Sequence, residues 1–238
     1  MDNQLQRKLT DYLAGFATEN RLARFEQVLS QRTRYLTVAL ENIFQPHNAS
    51  AVLRTMECFG IQDVHIIEKE YEYRVNPEIA LGAFQWLSLI RYNGSSDNTV
   101  AAVEALREKG YRIIAATPRP DALNIDQFDL AKGPAAIFFG TELAGLSDQV
   151  LDRADESIRI PICGFTESFN VSVSAALIIH QLAGKLRKSE DICWQLAETE
   201  KEVLRFEWLK QSVRHAERII QRFLHQSGGR PENLTPGS

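Results

Sequence analysis

Three segments of the chain carry polar residues whose types and spacing could do chemistry. The first segment contains Asn48 and, six positions later, Arg54. If Asn48 caps a helix, Arg54 lies between one and two turns into it, and its long side chain can reach back toward the start of the helix. Taken alone, Asn48 is more commonly a plain helix cap than an active-site residue, and Arg54 is explained by a surface ion pair.

The second segment, residues 140–147, has two glycines at the spacing of a phosphate-binding loop. Leu146 stands where such a loop has its lysine, so the counter-charge for a phosphate is missing and an NTPase is disfavoured. Glu142 in this segment would repel phosphates but would tolerate a cationic ligand such as a sulfonium. The chain also lacks a G-x-G-x-x-G fingerprint and a G-x-S-x-G motif, which argues against a Rossmann dinucleotide site and a serine hydrolase.

The third segment, residues 160–170, contains Ser168 and Asn170 and leads into a helix that is rich in small residues and serines. Small side chains on an otherwise apolar helix suit close backbone packing. A simpler explanation is a buried helix with a serine or asparagine cap at its start.

Alternating strands and helices place these segments. We predict strands over 36–40, 64–67, 86–90, 111–116, 135–139 and 157–160, and helices over 48–59, 77–84, 97–110, 147–154 and 171–188. Strands that are apolar on both faces, alternating with helices, predict an α/β fold whose mostly parallel sheet is covered by helices on both faces. Each polar segment then follows a strand, at the edge where open α/β sheets bind ligands.

The two ends of the chain are predicted to be helical. Apolar periodicity predicts two short helices before residue 35 and an amphipathic helical region over 191–225. The sequence therefore divides into an N-terminal helical arm (1–35), a central domain (36–188), a C-terminal helical extension (189–226) and a disordered tail (227–238).

Composition describes an ordinary globular protein of 238 residues with a net charge of −4. Basic residues exceed acidic ones at both ends, six to four within 1–36 and seven to five from residue 200 onward. Basic ends on an acidic centre could guide an RNA backbone, although solvated helix faces explain the same pattern. Three scattered cysteines predict no metal site or disulfide, and we expect neither a signal peptide nor a membrane span. A cytoplasmic protein is therefore expected.

In this order the three segments resemble the motifs of the SpoU family of RNA 2′-O-ribose methyltransferases, within the SPOUT superfamily. The matching residues are Glu41-Asn42-Ile43 with Pro46-His47-Asn48, Ser50 and Arg54-Thr55; Phe139-Gly140-Thr141-Glu142 with Gly145-Leu146-Ser147; and Ile160-Pro161 with Ser168-Phe169-Asn170-Val171-Ser172-Val173. The resemblance covers about residues 36–188. It implies a catalytic domain that ends in a deep trefoil knot and a homodimer that pairs through the knot region.

The resemblance also implies a cofactor and roles for residues. S-adenosyl-L-methionine would be held largely by backbone groups at Thr117, Gly140, Ile160 and Phe169. The catalytic set would be Arg54 with Asn48, Glu142, Ser168 and Asn170, and the active site would take residues from both subunits. The short helical arm and the C-terminal helices resemble the tRNA guanosine-18 2′-O-methyltransferases, which implies tRNA, or another structured RNA, as the partner.

Three other functions stay open at this point. The first is 2′-O-methylation of ribosomal RNA. The second is a non-catalytic RNA-binding module that keeps the knot but not the chemistry, against which the complete catalytic set argues. The third is a generic nucleotide-binding α/β protein, which the missing lysine and the missing glycine fingerprint disfavour.

Overall fold

The computed structural model describes residues 2–43, 45–70, 80, 82–94 and 97–226 of the chain. These residues divide into two compact units. The larger unit spans Arg32–Gln195, and the smaller one combines residues 2–31 with residues 196–226. The helical ends of the chain, which are far apart in sequence, therefore belong to one compact unit.

A seven-stranded sheet, counted over the described residues, forms the centre of the larger unit. Its strands are β1 (Leu36–Glu41), β2 (Asp63–Ile67), β3 (Ser88–Tyr92), β4 (Arg112–Ala116), β5 (Leu123–Asn124), β6 (Ala135–Phe139) and β7 (Glu156–Arg159). The spatial order is β3-β2-β1-β6-β4-β7-β5, and each adjacent pair is parallel. All these strands therefore end at the same edge of the sheet.

The described residues contain eight α-helices and three short 3₁₀ helices. The α-helices are α1 (Asn3–Ala14), α2 (Glu19–Leu29), α3 (Pro46–Cys58), α4 (Asn98–Glu108), α5 (Asp148–Leu151), α6 (Val171–Lys188), α7 (Glu198–Ser212) and α8 (Ala216–Gln226). The 3₁₀ helices are Ala83–Trp86, Ile125–Gln127 and Leu130–Lys132.

Helices cover both faces of the sheet because the central strands are apolar on both faces. On β6, Ile137 packs in one core cluster with residues of α3 and α6, and its neighbour Phe138 packs in another with residues of α4 and α5. Successive side chains of a strand point to opposite faces of the sheet, so a strand that is covered on both faces must be apolar at every position. The predicted parallel sheet with helices on both faces is confirmed. The deep knot stays a prediction.

Most predicted elements are present, with boundaries shifted by a few residues. The helix assigned to 171–188 and the strand assigned to 135–139 have the predicted bounds. The strand assigned to 86–90 lies at Ser88–Tyr92, and the short strand Leu123–Asn124 was not predicted. Residues 77–79 and 81 of the helix predicted over 77–84 lie outside the described residues, and Ala83 and Phe84 begin a 3₁₀ helix. The predicted disordered tail, residues 227–238, lies entirely outside them.

The smaller unit consists of α1, α2, α7 and α8. Phe25 of α2 and Trp208 of α7 are buried and meet edge to face, with ring centroids 5.5 Å apart. Arg205 of α7 donates two hydrogen bonds to the carboxylate of Glu26, at 2.6 and 2.8 Å. Packing between the first and last helices therefore explains why both ends of the chain are amphipathic.

A buried polar pair lies in the sheet of the larger unit. His65 of β2 is 1% exposed, and its Nδ1 lies 3.0 Å from the hydroxyl of Tyr92 on β3. Burial, with a smaller contribution from the positive charge of Lys109, lowers the pKa of His65 from 6.5 to about 4. The imidazole is therefore neutral at neutral pH.

No helix within the described ranges combines the length and the apolar character that are needed to cross a membrane.

Candidate active site

The three polar segments form loops at the carboxyl edge of the sheet. They connect β1 to α3, β6 to α5 and β7 to α6. Because β1 and β6 are adjacent and only β4 separates β6 from β7, the three loops lie side by side. Parallel sheets place their ligand sites at this edge.

Side chains from all three loops meet in a cluster of two amides and one carboxylate. Asn48 Nδ2 and Asn170 Nδ2 each donate to Glu142 Oε1, at 2.6 Å. Asn170 Nδ2 also lies 3.2 Å from Asn48 Oδ1. Asn48 is only 3% exposed, whereas Glu142 and Asn170 are exposed, so the cluster joins a buried amide to groups that solvent can reach. Folding thus joins three of the five predicted catalytic residues in one hydrogen-bonded group.

The local structure explains why both amides face the carboxylate. The prediction that Asn48 caps a helix is wrong, because α3 begins two residues earlier, at Pro46, and Gln45 is its cap. A proline at the first helical position needs no amide hydrogen, and Asn48 is left free to point out of the first turn. Asn170 does cap α6: its Oδ1 accepts from the backbone nitrogen and hydroxyl of Ser172, at 2.9 and 2.6 Å. The cap fixes the amide so that Nδ2 faces Glu142.

Glu41, at the end of β1, anchors the loop between β6 and α5. Its Oε1 accepts hydrogen bonds from the hydroxyls of Thr99 and Ser147, at 2.8 and 2.6 Å, and its Oε2 accepts one from the backbone nitrogen of Ser147, at 2.9 Å. The residue is 3% exposed. The sequence analysis assigned Glu41 no role. The available signal was an acidic residue at the end of an apolar strand, because a carboxylate that is buried there needs hydrogen-bond donors.

The loop over residues 140–147 folds back tightly on itself. Thr141 and Gly145 exchange backbone hydrogen bonds at 3.0 Å in both directions. A Cβ on Gly140 would lie 2.1 Å from the backbone of Gly145 and 2.3 Å from that of Leu146, and Gly145 itself has a φ of 71°. Both glycines are therefore required by geometry, the first by a close approach and the second by a left-handed backbone.

A cleft of about 400 Å³, here the first cleft, lies beside this loop. Thr117, Gly140, Ile160 and Phe169, the four predicted cofactor residues, all line it, and so does Ser168. The volume is within the range of small-molecule sites. Its charged lining residues are two arginines and two glutamates: Arg119, Glu142, Arg159 and Glu167. Such a lining suits a ligand that carries both signs of charge.

A second cleft, of about 690 Å³, shares residues 141–146 with the first cleft as a common wall. Asn48 and Glu41 line the second cleft only, whereas Glu142 lines both. The amide–carboxylate cluster therefore stands at the border between the two clefts.

Arg54 lies apart from both clefts in this chain. It is exposed on α3, six residues after Asn48, which is about 9 Å along the helix and on a different side of it. No described residue forms an ion pair or hydrogen bond with its guanidinium, and it lines neither cleft. Of the five predicted catalytic residues, the chain brings three together, puts Ser168 in the first cleft and leaves Arg54 on the surface.

The sequence profile of the SpoU rRNA Methylase family matches residues 35–180. The match spans more than half of the chain and includes all three loops. The chain belongs to the SpoU rRNA methylase family.

The likeness to individual proteins extends beyond the central domain. A tRNA (guanosine(18)-2′-O)-methyltransferase of Borreliella burgdorferi is 42% identical over 215 residues, which cover 90% of this chain and 95% of that protein. The crystal structure of the Aquifex aeolicus TrmH/SpoU tRNA modifying enzyme superposes with a TM-score of 0.73 at 26% identity, over 82% of this chain and 98% of that one.

A SpoU methyltransferase of lower identity shares the fold. AviRb of Streptomyces viridochromogenes, solved in complex with its cofactor AdoMet, superposes with a TM-score of 0.57 at 21% identity, over 68% of this chain and 65% of that one. At this identity the likeness concerns the fold alone.

Proposed function

We propose that this SpoU protein transfers a methyl group from S-adenosylmethionine to the ribose 2′-oxygen of guanosine 18 in tRNA. The observation that carries the proposal is the cluster of Asn48, Glu142 and Asn170 at the border of two clefts. One cleft fits the donor and the other offers space for the acceptor nucleotide. The substrate follows the Borreliella burgdorferi relative, whose printed name specifies that nucleotide.

The first cleft fits S-adenosylmethionine by size and by chemistry. The cofactor carries a positive sulfonium, a positive ammonium and a negative carboxylate, and the cleft presents carboxylates and guanidiniums together. Apolar side chains of Ile160 and Phe169 suit the adenine, and backbone groups at Thr117 and Gly140 suit its polar edge. When bound, the cofactor supplies an activated methyl group on sulfur. Glu142 at the border favours the positive sulfonium.

The second cleft suits the acceptor ribose. It opens next to Glu142 and Asn48 and has Lys69 and Glu70 in its wall. Glu142 Oε1 is occupied by two amide donors, and its other oxygen, Oε2, accepts no hydrogen bond from any described residue. That oxygen can accept a hydrogen bond from a ribose hydroxyl and hold it toward the donor. Positioning of this kind supplies much of the rate in a transfer between two bound groups.

Arg54 lines neither cleft of its own chain, so a catalytic role for it requires a second subunit. A guanidinium keeps its proton in proteins, so Arg54 acts as a fixed cation that binds the adjacent phosphate and stabilises the developing oxyanion. Its exposed position suits delivery to the active site of a partner subunit. We therefore propose a homodimer in which Arg54 of one subunit serves the clefts of the other, and in which the proton leaves to water or to the phosphate.

Basic side chains in the smaller unit suit tRNA binding. Arg214, Arg218 and Arg222 are spaced four residues apart and exposed, and none has an ion-pair partner among the described residues. Residues four apart lie on one side of a helix, so those on α8 can follow a phosphate backbone. A tRNA-modifying enzyme of this kind works in the cytoplasm.

Methylation of a tRNA transcript with labelled S-adenosylmethionine, followed by mapping of the labelled nucleotide, tests the function. We expect label on the ribose of guanosine 18 and none on a transcript with deoxyguanosine at that position.

Arg54→Ala should lower the rate by about 10²–10³ and leave cofactor binding, measured by calorimetry, near normal. Lys188→Ala is the matched control, since this exposed cation ends α6, about 27 Å along the helix from Asn170. Label that appears only on ribosomal RNA, or no cofactor binding, would overturn the proposal.

Mixing two inactive variants tests the shared site. Arg54→Ala and Glu142→Ala subunits, mixed and allowed to exchange, form heterodimers with one complete site. If Arg54 acts across the interface, random pairing restores about a quarter of the wild-type activity. No recovery in mixtures whose subunit exchange is verified would place Arg54 in its own subunit's site.

A further inference from the structure

Arg159 is a charged residue of the first cleft that neither the sequence motifs nor the catalytic cluster explain. It ends β7, next to Ile160, and it lies partly buried in the cleft wall. Its guanidinium Nε is buried and has no hydrogen-bond partner among the described residues. No described carboxylate pairs with it. A ligand in the cleft would meet the terminal nitrogens of this guanidinium, which also have no acceptor among the described residues, whereas Nε is enclosed by the protein.

The neighbouring strand offers no charge to Arg159. The residue beside it in the ladder is Asn124 of β5, and the Asn124 Oδ1 atom is itself buried without a partner. Paired residues on adjacent strands point to the same side of a sheet, yet Arg159 Nε and Asn124 Oδ1 do not form a hydrogen bond with each other. The site thus holds a cation for which no residue in the described part of the chain supplies a counter-ion.

Arg119, the other cation of the first cleft, is a weaker candidate for an anion. Arg119 is exposed to solvent after β4, where water screens its charge. Arg159 is partly desolvated, so an anion beside it interacts more strongly. Guanidinium and carboxylate also match as paired planar groups that form two hydrogen bonds at once.

We propose that Arg159 binds the carboxylate of the methionine part of S-adenosylmethionine and so fixes that end of the cofactor in the first cleft. The inference rests on the proposed function, since it takes the first cleft as the cofactor site. Arg159 is a binding and positioning residue, and it takes no part in the methyl transfer itself. Its removal should weaken cofactor binding and leave the Asn48–Glu142–Asn170 cluster intact.

Calorimetric titration of the full-length protein with two ligands tests this proposal. S-adenosylmethionine carries the carboxylate, and decarboxylated S-adenosylmethionine lacks it. We expect wild-type protein to bind the first ligand about 10- to 100-fold more tightly, which is the usual effect of hydrogen bonds to a charged group. Arg159→Leu should lose that preference by weakening only the carboxylate-bearing ligand. Arg119→Leu, the matched control, should keep it.

Other outcomes contradict the proposal in distinguishable ways. Equal weakening of both ligands by Arg159→Leu would mean a structural role, and unchanged binding would mean that Arg159 meets another anion, such as an RNA phosphate. Should Arg159→Leu fail to fold, Arg159→Lys must keep part of the preference because it retains the charge. If wild-type protein binds neither ligand, the proposed function fails, whereas intact binding without a carboxylate preference overturns only the role of Arg159.

Discussion

Glu41 gives the sharpest test of how the site is built. It accepts three hydrogen bonds in a position that is 3% exposed, two of them from Ser147. Glu41→Ala leaves the backbone N–H of Ser147 without an acceptor, which costs about 1–3 kcal/mol. It also leaves the hydroxyls of Thr99 and Ser147 without their acceptor, which costs about 1 kcal/mol or less for each. The hydroxyls can rotate toward other acceptors, so we expect a total loss of about 3 kcal/mol.

Glu41→Gln separates charge from hydrogen bonding at the same position. The glutamine oxygen can serve the backbone N–H of Ser147, and its NH₂ group can donate to the hydroxyls of Thr99 and Ser147, which accept as well as donate. Only the additional strength of hydrogen bonds to a charged acceptor is lost, which is about 1 kcal/mol. Stability should therefore fall in the order wild type, Glu41→Gln, Glu41→Ala.

Urea denaturation at constant pH measures these differences as changes in the free energy of unfolding. Glu104, an exposed acid of α4 with no partner among the described residues, is the control, and Glu104→Ala should change stability by less than about 0.5 kcal/mol. The loop that Glu41 holds lines both clefts, so Glu41→Ala should also weaken cofactor binding at a temperature where it stays folded. A loss below about 0.5 kcal/mol for Glu41→Ala would refute the idea that this carboxylate anchors the loop.

Three further predictions concern the core, the loop and the smaller unit. The pKa of His65 is about 4 in the folded chain and about 6.5 in the unfolded one, so the unfolded chain takes up the proton first. The free energy of unfolding is therefore highest above pH 6.5 and decreases toward pH 4, by about 2 kcal/mol at pH 5. In urea titrations at several pH values, His65→Phe should lose less stability on acidification than the wild type. Equal losses in the two proteins would contradict this. Gly140→Ala places a Cβ 2.1 Å from the backbone of Gly145, so cofactor affinity should fall by at least about tenfold, with Gly94→Ala, in open space, as the unaffected control. Replacing Arg218 and Arg222 by glutamine should reduce the salt dependence of tRNA binding by about one to two released ions, and an unchanged slope in filter-binding assays would exclude them from the contact.

The sequence alone determined the layered architecture and the location of the site. Apolar runs such as Ala135–Phe139 are continuous because both faces of the sheet are covered, and that pattern is local enough to read without a structure. Strand ends then mark where loops must be, and polar residues at those ends mark a candidate site. Family motifs added the residue roles, which composition and periodicity do not contain.

Only the tertiary structure decided which polar side chains meet. The helix of Asn48 begins at Pro46, so the amide is released from capping and reaches Glu142, 94 positions away in sequence. For Glu41 the sequence offered only an acid at the end of an apolar strand, because its hydrogen-bond donors come from a distant helix and a distant loop. For Arg159 it offered no signal, because the lack of an acceptor among the described residues depends on how its neighbours pack. Hydrogen-bond partners and burial depend on strand order and register, and these are fixed by packing over the whole sheet rather than by any one segment.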